Sequence, residues 1–243
     1  MNGKPTIVLV HGSFADSSGW NDVVRNLHQG GYTVHGISNP LRGVHSDAEY
    51  LDAFLDTIES PVVLVGHSYG GAVITNTKHA PDKVKALVYI AGFALDEGES
   101  PGVATGLGGE NVDLSQVVVV RPFPGAGEGN GDAYLNPEIF PQVFCQDLPE
   151  EQGRIMAALQ RPSALASLLE PSGPPAWKSA PSWYMIATQD RVIPPSAERV
   201  MAARAGAKTV EIDSSHVPMI SHPDKVTELI LEAAMSASSL VSH

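Results

Sequence analysis

Residues 62–79 read VVLVGHSYGGAVITNTKH, and this stretch decides how the rest of the chain is interpreted. Its first four residues, VVLV, form a short β-branched run that is typical of a strand buried on both faces of a parallel sheet. Residues 72–79 follow with a helical pattern that ends before Pro81. Between the two, the letters GHSYG fit the pattern G-x-S-x-G, which predicts that Ser68 lies on a sharp strand-to-helix turn. Such a turn would expose its hydroxyl at the carboxyl edge of the sheet, where open α/β sheets bind ligands.

The same alternation of short apolar runs and helical patterns continues on both sides of this stretch. Predicted strands occupy residues 6–10, 32–37, 62–65, 84–91, 183–187 and 209–212. Predicted helices in the same regions occupy residues 17–29, 47–58, 72–79, 195–205 and 224–235. Repeated strand–helix–strand units with right-handed connections build a doubly wound sheet. We therefore expect an α/β fold with a six-stranded, mostly parallel, doubly wound sheet.

The alternation stops between Gly92 and Ala180, where most of the Gly and Pro clusters lie. Weaker helical patterns occupy residues 137–146, 149–160 and 162–169. A long segment that has its own helices and lies between two strands of one sheet is typical of an inserted unit. We predict a helical cap at residues 95–180, inserted into a core made of residues 1–94 and 181–243.

Composition and charge exclude several classes of function. The 243 residues include 15 Lys and Arg against 27 Asp and Glu, a net charge of −12, which would repel nucleic acids and anionic membranes. The single cysteine, Cys145, excludes an internal disulfide and a multi-cysteine metal cage. The nine histidines lack metal-binding spacing, and the glycine-rich residues 125–131 lack the strand before and the Lys-Ser/Thr after that a phosphate-binding loop requires. We expect no metal and no cofactor.

Apolar runs in this chain are short. None approaches the roughly 18–20 residues of a membrane helix, and the N-terminus lacks the long apolar region of a signal peptide. We therefore predict a soluble, cytoplasmic protein with a small-molecule substrate. A homodimer is compatible with the sequence.

A serine nucleophile needs a base that is held in place by a third group. On a sheet of this kind, the acid and then the histidine are expected on loops after later strands. Asp190 follows the predicted strand at 183–187, and His216 follows the one at 209–212. Both residues should therefore reach the sheet edge that carries Ser68. His216 would accept the Ser68 proton through one ring nitrogen, while Asp190 would fix the tautomer through the other.

Other titratable residues fit structural roles better. His67 adjoins the serine but should leave the turn in another direction, which favours packing. His222 precedes Pro223 at the start of the last helix, which favours capping. Asp213 fits a turn, and Asp147 lies in the insertion, out of chain order. Asp190 and His216 therefore stay the predicted acid and base.

An oxyanion hole needs two backbone N–H donors near the reacting carbonyl. One is expected from Tyr69, directly after the nucleophile, and the other from Ser13, in the loop after the first strand. Side chains that could form an apolar pocket wall, or equally belong to the core, are Phe14, Tyr69, Phe93, Phe144 and Met219.

Four segments resemble the α/β-hydrolase superfamily: IVLVHGSF at 7–14, LVGHSYGG at 64–71, ATQDRVIPP at 187–195 and DSSHVPMISHPDKV at 213–226. More narrowly, the chain looks like the small bacterial carboxylesterases that are grouped with plant methylesterases and hydroxynitrile lyases. The resemblance covers nearly the whole chain. It implies the α/β-hydrolase fold, a helical cap over the pocket, and Ser68, Asp190 and His216 as the catalytic triad.

The lyase branch of this group is expected to carry Thr after the first-loop histidine and Lys after the catalytic histidine. Gly12 and Val217 stand at those places, which disfavours cyanohydrin cleavage. Ser68 disfavours the epoxide hydrolases and haloalkane dehalogenases, which use a carboxylate at this turn. The predicted function is a serine carboxylesterase that hydrolyses small to medium apolar or aryl esters through an acyl-enzyme. A lactone or C–C bond hydrolase, a perhydrolase side activity and a receptor-like ligand-binding protein stay open as alternatives.

Overall fold

The computed structural model describes the backbone of residues 3–110 and 116–240, and the side chains of these residues as far as 238. The strands in the described residues are β1 Thr6–Val10, β2 Val34–Ile37, β3 Val62–Ser68, β4 Val84–Gly92, β5 Val118–Arg121, β6 Asp132–Leu135, β7 Ser163–Ala164, β8 Ser182–Ala187 and β9 Lys208–Ile212. Six of them form one parallel sheet in the order β2-β1-β3-β4-β8-β9. The predicted α/β fold with six parallel strands is confirmed.

The helices in the described residues flank this sheet or belong to the segment between β4 and β8. They are α1 Asn21–Gln29, α2 Val44–Leu55, α3 Tyr69–Thr75, α4 Pro101–Ala104, α5 Phe140–Phe144, α6 Glu150–Leu159, α7 Leu165–Leu169, α8 Pro195–Arg204, α9 Pro218–Ser221 and α10 Pro223–Leu240. Short 3-10 helices lie at Ser17–Trp20 and Ala176–Lys178. Nowhere in the described chain does a helix combine the length and the apolar character needed to cross a bilayer.

Both faces of the sheet are buried at the central strands β1, β3, β4 and β8, as their apolar runs predict, whereas the edge strands β2 and β9 are mostly exposed. Val8 and Val10 of β1 belong to one apolar cluster, together with α2, α3 and α8. Ile7 and Leu9 of the same strand belong to a second cluster, together with α1 and α10. Because successive strand residues point to opposite faces, one strand contributes to both clusters. Helices on both faces make the sheet doubly wound.

The parallel strands bring four loops to one edge of the sheet. β1 pairs with β3, β3 with β4, and β8 with both β4 and β9. Residues 11–14, 188–190 and 213–216 follow the carboxyl ends of β1, β8 and β9, and Ser68 ends β3. The topology therefore gathers the residues that the sequence predicted to cooperate.

The segment between β4 and β8, here called the cap (residues 95–180), contains a sheet as well as helices. Strands β5, β6 and β7 form an antiparallel sheet that the helical prediction missed. The β-branched run at 118–120 is the sequence signal for it. The helix predicted at 162–169 is shorter than expected, because β7 occupies its start. Phe140 and Phe144 of α5 lie in the cluster that α1 and α10 share, so the cap packs directly on the core.

Candidate active site

Ser68 lies at the junction of β3 and α3 with a backbone that L-residues rarely adopt. Its φ is 53° and its ψ is −124°. The two flanking glycines make this turn sterically feasible. A Cβ on Gly66 would lie 2.6 Å from the Gly70 carbonyl oxygen, and one on Gly70 would collide with the carbonyl oxygen of Val10. The predicted strand–Ser68–helix turn is present, and its strain is held by the packing of β1, β3 and α3.

Asp190 and His216 form a hydrogen-bonded pair. His216 Nδ1 donates to Asp190 Oδ2 over 2.5 Å, and both side chains are completely buried. The other carboxylate oxygen of Asp190 accepts from the backbone N–H groups of Val192, at 2.7 Å, and Ile193, at 3.0 Å. These three donors stabilise an ionised Asp190 and fix the neutral imidazole with its proton on Nδ1. The free lone pair of His216 is therefore on Nε2.

That nitrogen is buried and accepts no hydrogen bond from any described residue. The hydrogen bond predicted between Ser68 and His216 is thus not formed in this structure. Catalytic hydrogen bonds are often long in unliganded enzymes and tighten only when substrate binds. The structure brings Asp190 and His216 into contact, whereas the contact of His216 with Ser68 stays a prediction.

His67, predicted to serve in packing, also holds the backbone of His216. Its Nε2 donates to the His216 carbonyl oxygen over 2.7 Å, and the two rings lie 4.8 Å apart. Burial, aided by the neighbouring His216, puts the pKa of His67 well below its ordinary value, so its imidazole is neutral. The Phe144 ring packs edge-on against the His216 ring, with 5.0 Å between the ring centroids. The only sequence signal for the role of His67 is its place beside Ser68.

The loop after β1 lies against Ser68. A Cβ on Gly12 would be 2.6 Å from Ser68 Cβ and 3.2 Å from Ser68 Oγ, so only glycine allows this approach. His11 anchors the loop, since its Nε2 accepts from the Asn39 N–H at 3.0 Å and the Asn39 side chain donates to the His11 carbonyl at 3.1 Å. Burial lowers the pKa of His11 to about 4, which keeps it a neutral acceptor. Ser13 follows Gly12 in this anchored loop.

The two predicted oxyanion donors differ in their side chains. Tyr69 is the first residue of α3, so its N–H has no partner within the helix. Its side chain is fully buried and its hydroxyl donates to Asp47 over 2.8 Å, which places the ring in the core and not in a pocket wall. The Ser13 hydroxyl is hydrogen-bonded to Ser163 of the cap at 2.8 Å, which leaves only its backbone N–H for an oxyanion.

A cavity of about 370 Å³ opens next to this site, between the cap helix α6 and the loop after β1. Three of the predicted pocket residues, Phe14, Phe144 and Met219, line it. Its remaining apolar lining consists of Ala15, Ile155, Met156, Leu159, Val217 and Ile220. Phe93 is not part of this lining. It is buried in the cluster with α2, α3 and α8, and its N–H donates to the Ser68 carbonyl at 3.1 Å.

The cavity is adjacent to the polar centre without including it. Its lining contains Val217, the residue after His216, but neither Ser68 nor His216 itself. Asp16, Asp22 and Arg25 also line it. Ser68 is only 4% exposed and His216 is fully buried, so side chains around Ser68 would have to move before a substrate could reach it.

Two further acidic residues lie beside this site: Asp147, which the sequence analysis set aside as the catalytic acid, and Glu198, which it did not consider. Asp147 of the cap accepts from the Ser215 N–H at 2.9 Å and from the Ser214 hydroxyl at 3.1 Å, and so ties the cap to the loop of His216. Glu198 of α8 is completely buried next to Asp190. Its helical spacing is a signal of burial, because Glu198 lies three and four residues before buried Met201 and Ala202 on the inward face of the helix.

Comparisons with known proteins agree with this geometry. A sequence profile of the Alpha/beta hydrolase family matches residues 7–229. Methylesterase 17 of Arabidopsis thaliana is 26% identical over 266 residues, covering 97% of this chain and 94% of that protein. Pyrethroid hydrolase of Sphingobium wenxiniae is 27% identical over 248 residues, covering 94% of this chain and 87% of that protein.

Solved structures agree in fold. The crystal structure of polyneuridine aldehyde esterase superimposes with a TM-score of 0.78 at 20% identity, covering 94% of this chain and 98% of that one. The predicted resemblance to plant methylesterases and to the wider superfamily is confirmed by these relatives. From the extent of the profile match and the site geometry, we conclude that this chain belongs to the α/β-hydrolase family.

Proposed function

We propose that the chain is a serine carboxylesterase with Ser68 as nucleophile, His216 as general base and Asp190 as the residue that orients the base. The observation that carries this proposal is the buried Asp190–His216 pair, whose free Nε2 lies at the sheet edge that carries the strained Ser68 turn. A neutral imidazole with a buried carboxylate on Nδ1 is the arrangement that activates a serine hydroxyl. Relatives named methylesterase and pyrethroid hydrolase support ester hydrolysis as the reaction.

In the first half of the reaction, Ser68 Oγ attacks the ester carbonyl and its proton passes to His216 Nε2. The carbonyl oxygen becomes an oxyanion, which the N–H groups of Ser13 and Tyr69 stabilise. The N-terminus of α3 also points toward this charge and favours it. His216 then gives its proton to the leaving alkoxide, and the alcohol departs from an acyl-Ser68.

In the second half, a water molecule loses a proton to His216 Nε2 and attacks the acyl carbonyl. The oxyanion forms again in the same place, the bond to Ser68 Oγ breaks, and the proton on His216 returns to that oxygen. The products are the carboxylic acid and free enzyme. His67 assists both halves by holding the His216 backbone, since it donates to the carbonyl of that residue.

The cavity supports small to medium apolar or aryl esters as substrates. Its volume of about 370 Å³ falls in the lower part of the range of small-molecule sites, which is about 300–1,000 Å³. Phe14, Phe144 and Met219 offer aromatic and apolar surface on the side next to His216. Arg25 forms an ion pair with Asp22 in this lining, so Asp16 supplies the remaining carboxylate, which disfavours substrates that carry a second carboxylate.

The test is hydrolysis of p-nitrophenyl acetate and butyrate by the purified protein and its Ser68→Ala variant. We expect turnover by the wild type and a loss of at least about a hundredfold in kcat for the variant, since deletions in a triad typically remove far more than that. Ser179→Ala, which truncates an exposed serine, is the control and should keep wild-type turnover. Equal turnover by Ser68→Ala would refute the assignment. Preference for a lactone or β-diketone panel, or tight ligand binding without turnover, would favour the alternative functions.

A further inference from the structure

Glu198 contacts Asp190 of the Asp190–His216 pair, in a position that no step of the proposed reaction uses. Its helix, α8, begins five residues after Asp190. The Glu198 side chain is 0% exposed, and its Oε2 accepts from the Ala187 N–H at 3.3 Å. Its Oε1 is buried and receives no hydrogen bond from a described residue. The remaining contact of this carboxyl group is a hydrogen bond with the Asp190 side chain.

Two carboxyl groups in buried contact cannot both be ionised, so one of them must hold a proton. Asp190 receives three donors, from Val192, Ile193 and His216, and these favour its ionised form. Glu198 receives one backbone donor, at the long distance of 3.3 Å. The proton therefore belongs on Glu198, and the hydrogen bond between the two carboxyl groups is donated by Glu198.

The charged and titratable groups around Glu198 lead to the same assignment. Tyr184 of β8 donates its hydroxyl to the Gly92 carbonyl oxygen, so it does not donate to Glu198. Arg199 is exposed and forms a bidentate pair with Glu211 of β9, so its charge is largely neutralised. No buried cation accompanies Glu198 in the described part of the chain. Burial and then the Asp190 charge raise the pKa of Glu198 well above its ordinary value.

We propose that Glu198 is a positioning residue, a protonated carboxylic acid that donates a hydrogen bond to Asp190 and so tunes the basicity of His216. This fourth donor draws charge from the Asp190 carboxylate, which then stabilises the His216 imidazolium less. The effect on catalysis rests on the proposed esterase function, whereas the protonation of Glu198 does not.

The catalytic test compares pH profiles of kcat/KM for wild type, Glu198→Gln and Glu198→Met. The amide of glutamine can donate to Asp190 and accept from Ala187, so Glu198→Gln should keep the acid limb within about 0.3 pH unit of wild type. Methionine has similar length without a donor, so Glu198→Met should move the acid limb upward by about 0.5–1 unit. A downward shift in Glu198→Gln would mean that Glu198 is ionised. An unmoved limb in Glu198→Met would mean that it does not act on His216. Either result overturns the proposal.

A second test needs no activity and follows the melting temperature of wild type and Glu198→Gln from pH 5 to 8. In the unfolded chain a glutamate ionises around its ordinary pKa of 4.5, while in the folded chain Glu198 stays protonated to higher pH. Each rise in pH above 4.5 therefore lowers the stability of the folded wild type relative to the unfolded chain. Glu198→Gln cannot ionise at this position, so it lacks this pH-dependent loss of stability. The melting temperature of Glu198→Gln relative to wild type should rise with pH. A difference that is constant with pH would overturn the proposal, whatever the fate of the esterase assignment.

Glu49→Gln is the matched control for both tests. Glu49 is an exposed glutamate of α2, so its unfolded and folded environments are similar. This variant should show the wild-type acid limb and a melting difference that does not change with pH. If the wild type hydrolyses no ester, only the melting experiment is decisive, and the two hypotheses fail separately.

Discussion

The strained backbone of Ser68 predicts that glycine at this position gives a more stable protein than alanine. With φ at 53° and ψ at −124°, residue 68 occupies a conformation that glycine adopts with little strain and L-residues do not. Such strain amounts to about 1–3 kcal/mol. Ser68→Ala keeps the Cβ and the strain, whereas Ser68→Gly removes both. Glycine loses more chain entropy on folding, which offsets about 0.5–1 kcal/mol.

The net difference is about 1 kcal/mol in favour of Ser68→Gly, which for a domain of this size corresponds to about 2–4 °C in Tm. Both variants lack the hydroxyl, so both should be inactive on esters, and Ser68→Ala serves as the matched control for the lost hydroxyl. Thermal melting followed by circular dichroism measures the difference. If Ser68→Gly melts at or below the temperature of Ser68→Ala, the strain at the turn is not present.

Three further predictions follow from the site. Asp190→Asn should lower kcat for p-nitrophenyl butyrate by about 10⁴-fold with little loss of Tm, because the amide favours the wrong tautomer of His216. A loss of kcat below tenfold would contradict the orienting role of Asp190. His11 is neutral when folded, with a pKa of about 4 against 6.5 when unfolded, so stability is lost as pH falls below 6.5. Between pH 7 and 5 this loss is about 2 kcal/mol. The free energy of unfolding by urea should therefore fall less over this range in His11→Gln than in wild type. An equal fall in the two proteins would contradict the neutral state of His11. Asp147→Ala removes the acceptor of the Ser215 N–H, so it should lower kcat more than tenfold in the ester assay. Asp132→Ala, also in the cap, is the control and should leave kcat unchanged. Equal loss of kcat in the two variants would contradict the role of Asp147 in holding the loop of His216.

Local signals were sufficient to predict the sheet and the residues at its edge. The run VVLV before Ser68 and the run TIVLV before His11 are buried parallel strands because they alternate between two apolar clusters. Strand ends determine loop positions in a parallel sheet, so the sequence alone predicts that Asp190 and His216 lie close together. The structure brings these two side chains into a hydrogen bond because their positions depend on the topology of the sheet, which the hydrophobic pattern determines.

Tertiary contacts between residues that are far apart in the sequence have no comparable local signal. The bond from His67 to the His216 carbonyl joins residues 149 apart in the chain, and no local pattern encodes it. Helical spacing indicates that Glu198 lies on the inward face of α8, but its contact with Asp190 depends on how α8 packs against β8. Phe93 is an aromatic residue near the sheet edge and so fits a pocket wall, but the turn after β4 directs its side chain into the core.

The cap illustrates the same division. Its strands are two to four residues long and are stabilised by pairing with one another. β7 lies within the helix predicted at 162–169, whereas β5 and β6 lie where no element was predicted. β6 pairs with both β5 and β7, which are 42 positions apart counted from Arg121 to Ser163. Strand pairing over such separations depends on the completed fold, so the residue pattern within one short stretch of sequence does not predict it.

The central claim is that Ser68 is a nucleophile activated by His216, and covalent labelling tests it most directly. The purified protein is treated with a fluorophosphonate, and the intact mass and the labelled peptide are determined by mass spectrometry. We expect one adduct, on the peptide that contains Ser68, with labelling at least a hundredfold slower in His216→Gln and absent in Ser68→Ala. An adduct on another residue, or equal labelling rates in wild type and His216→Gln, would contradict the account.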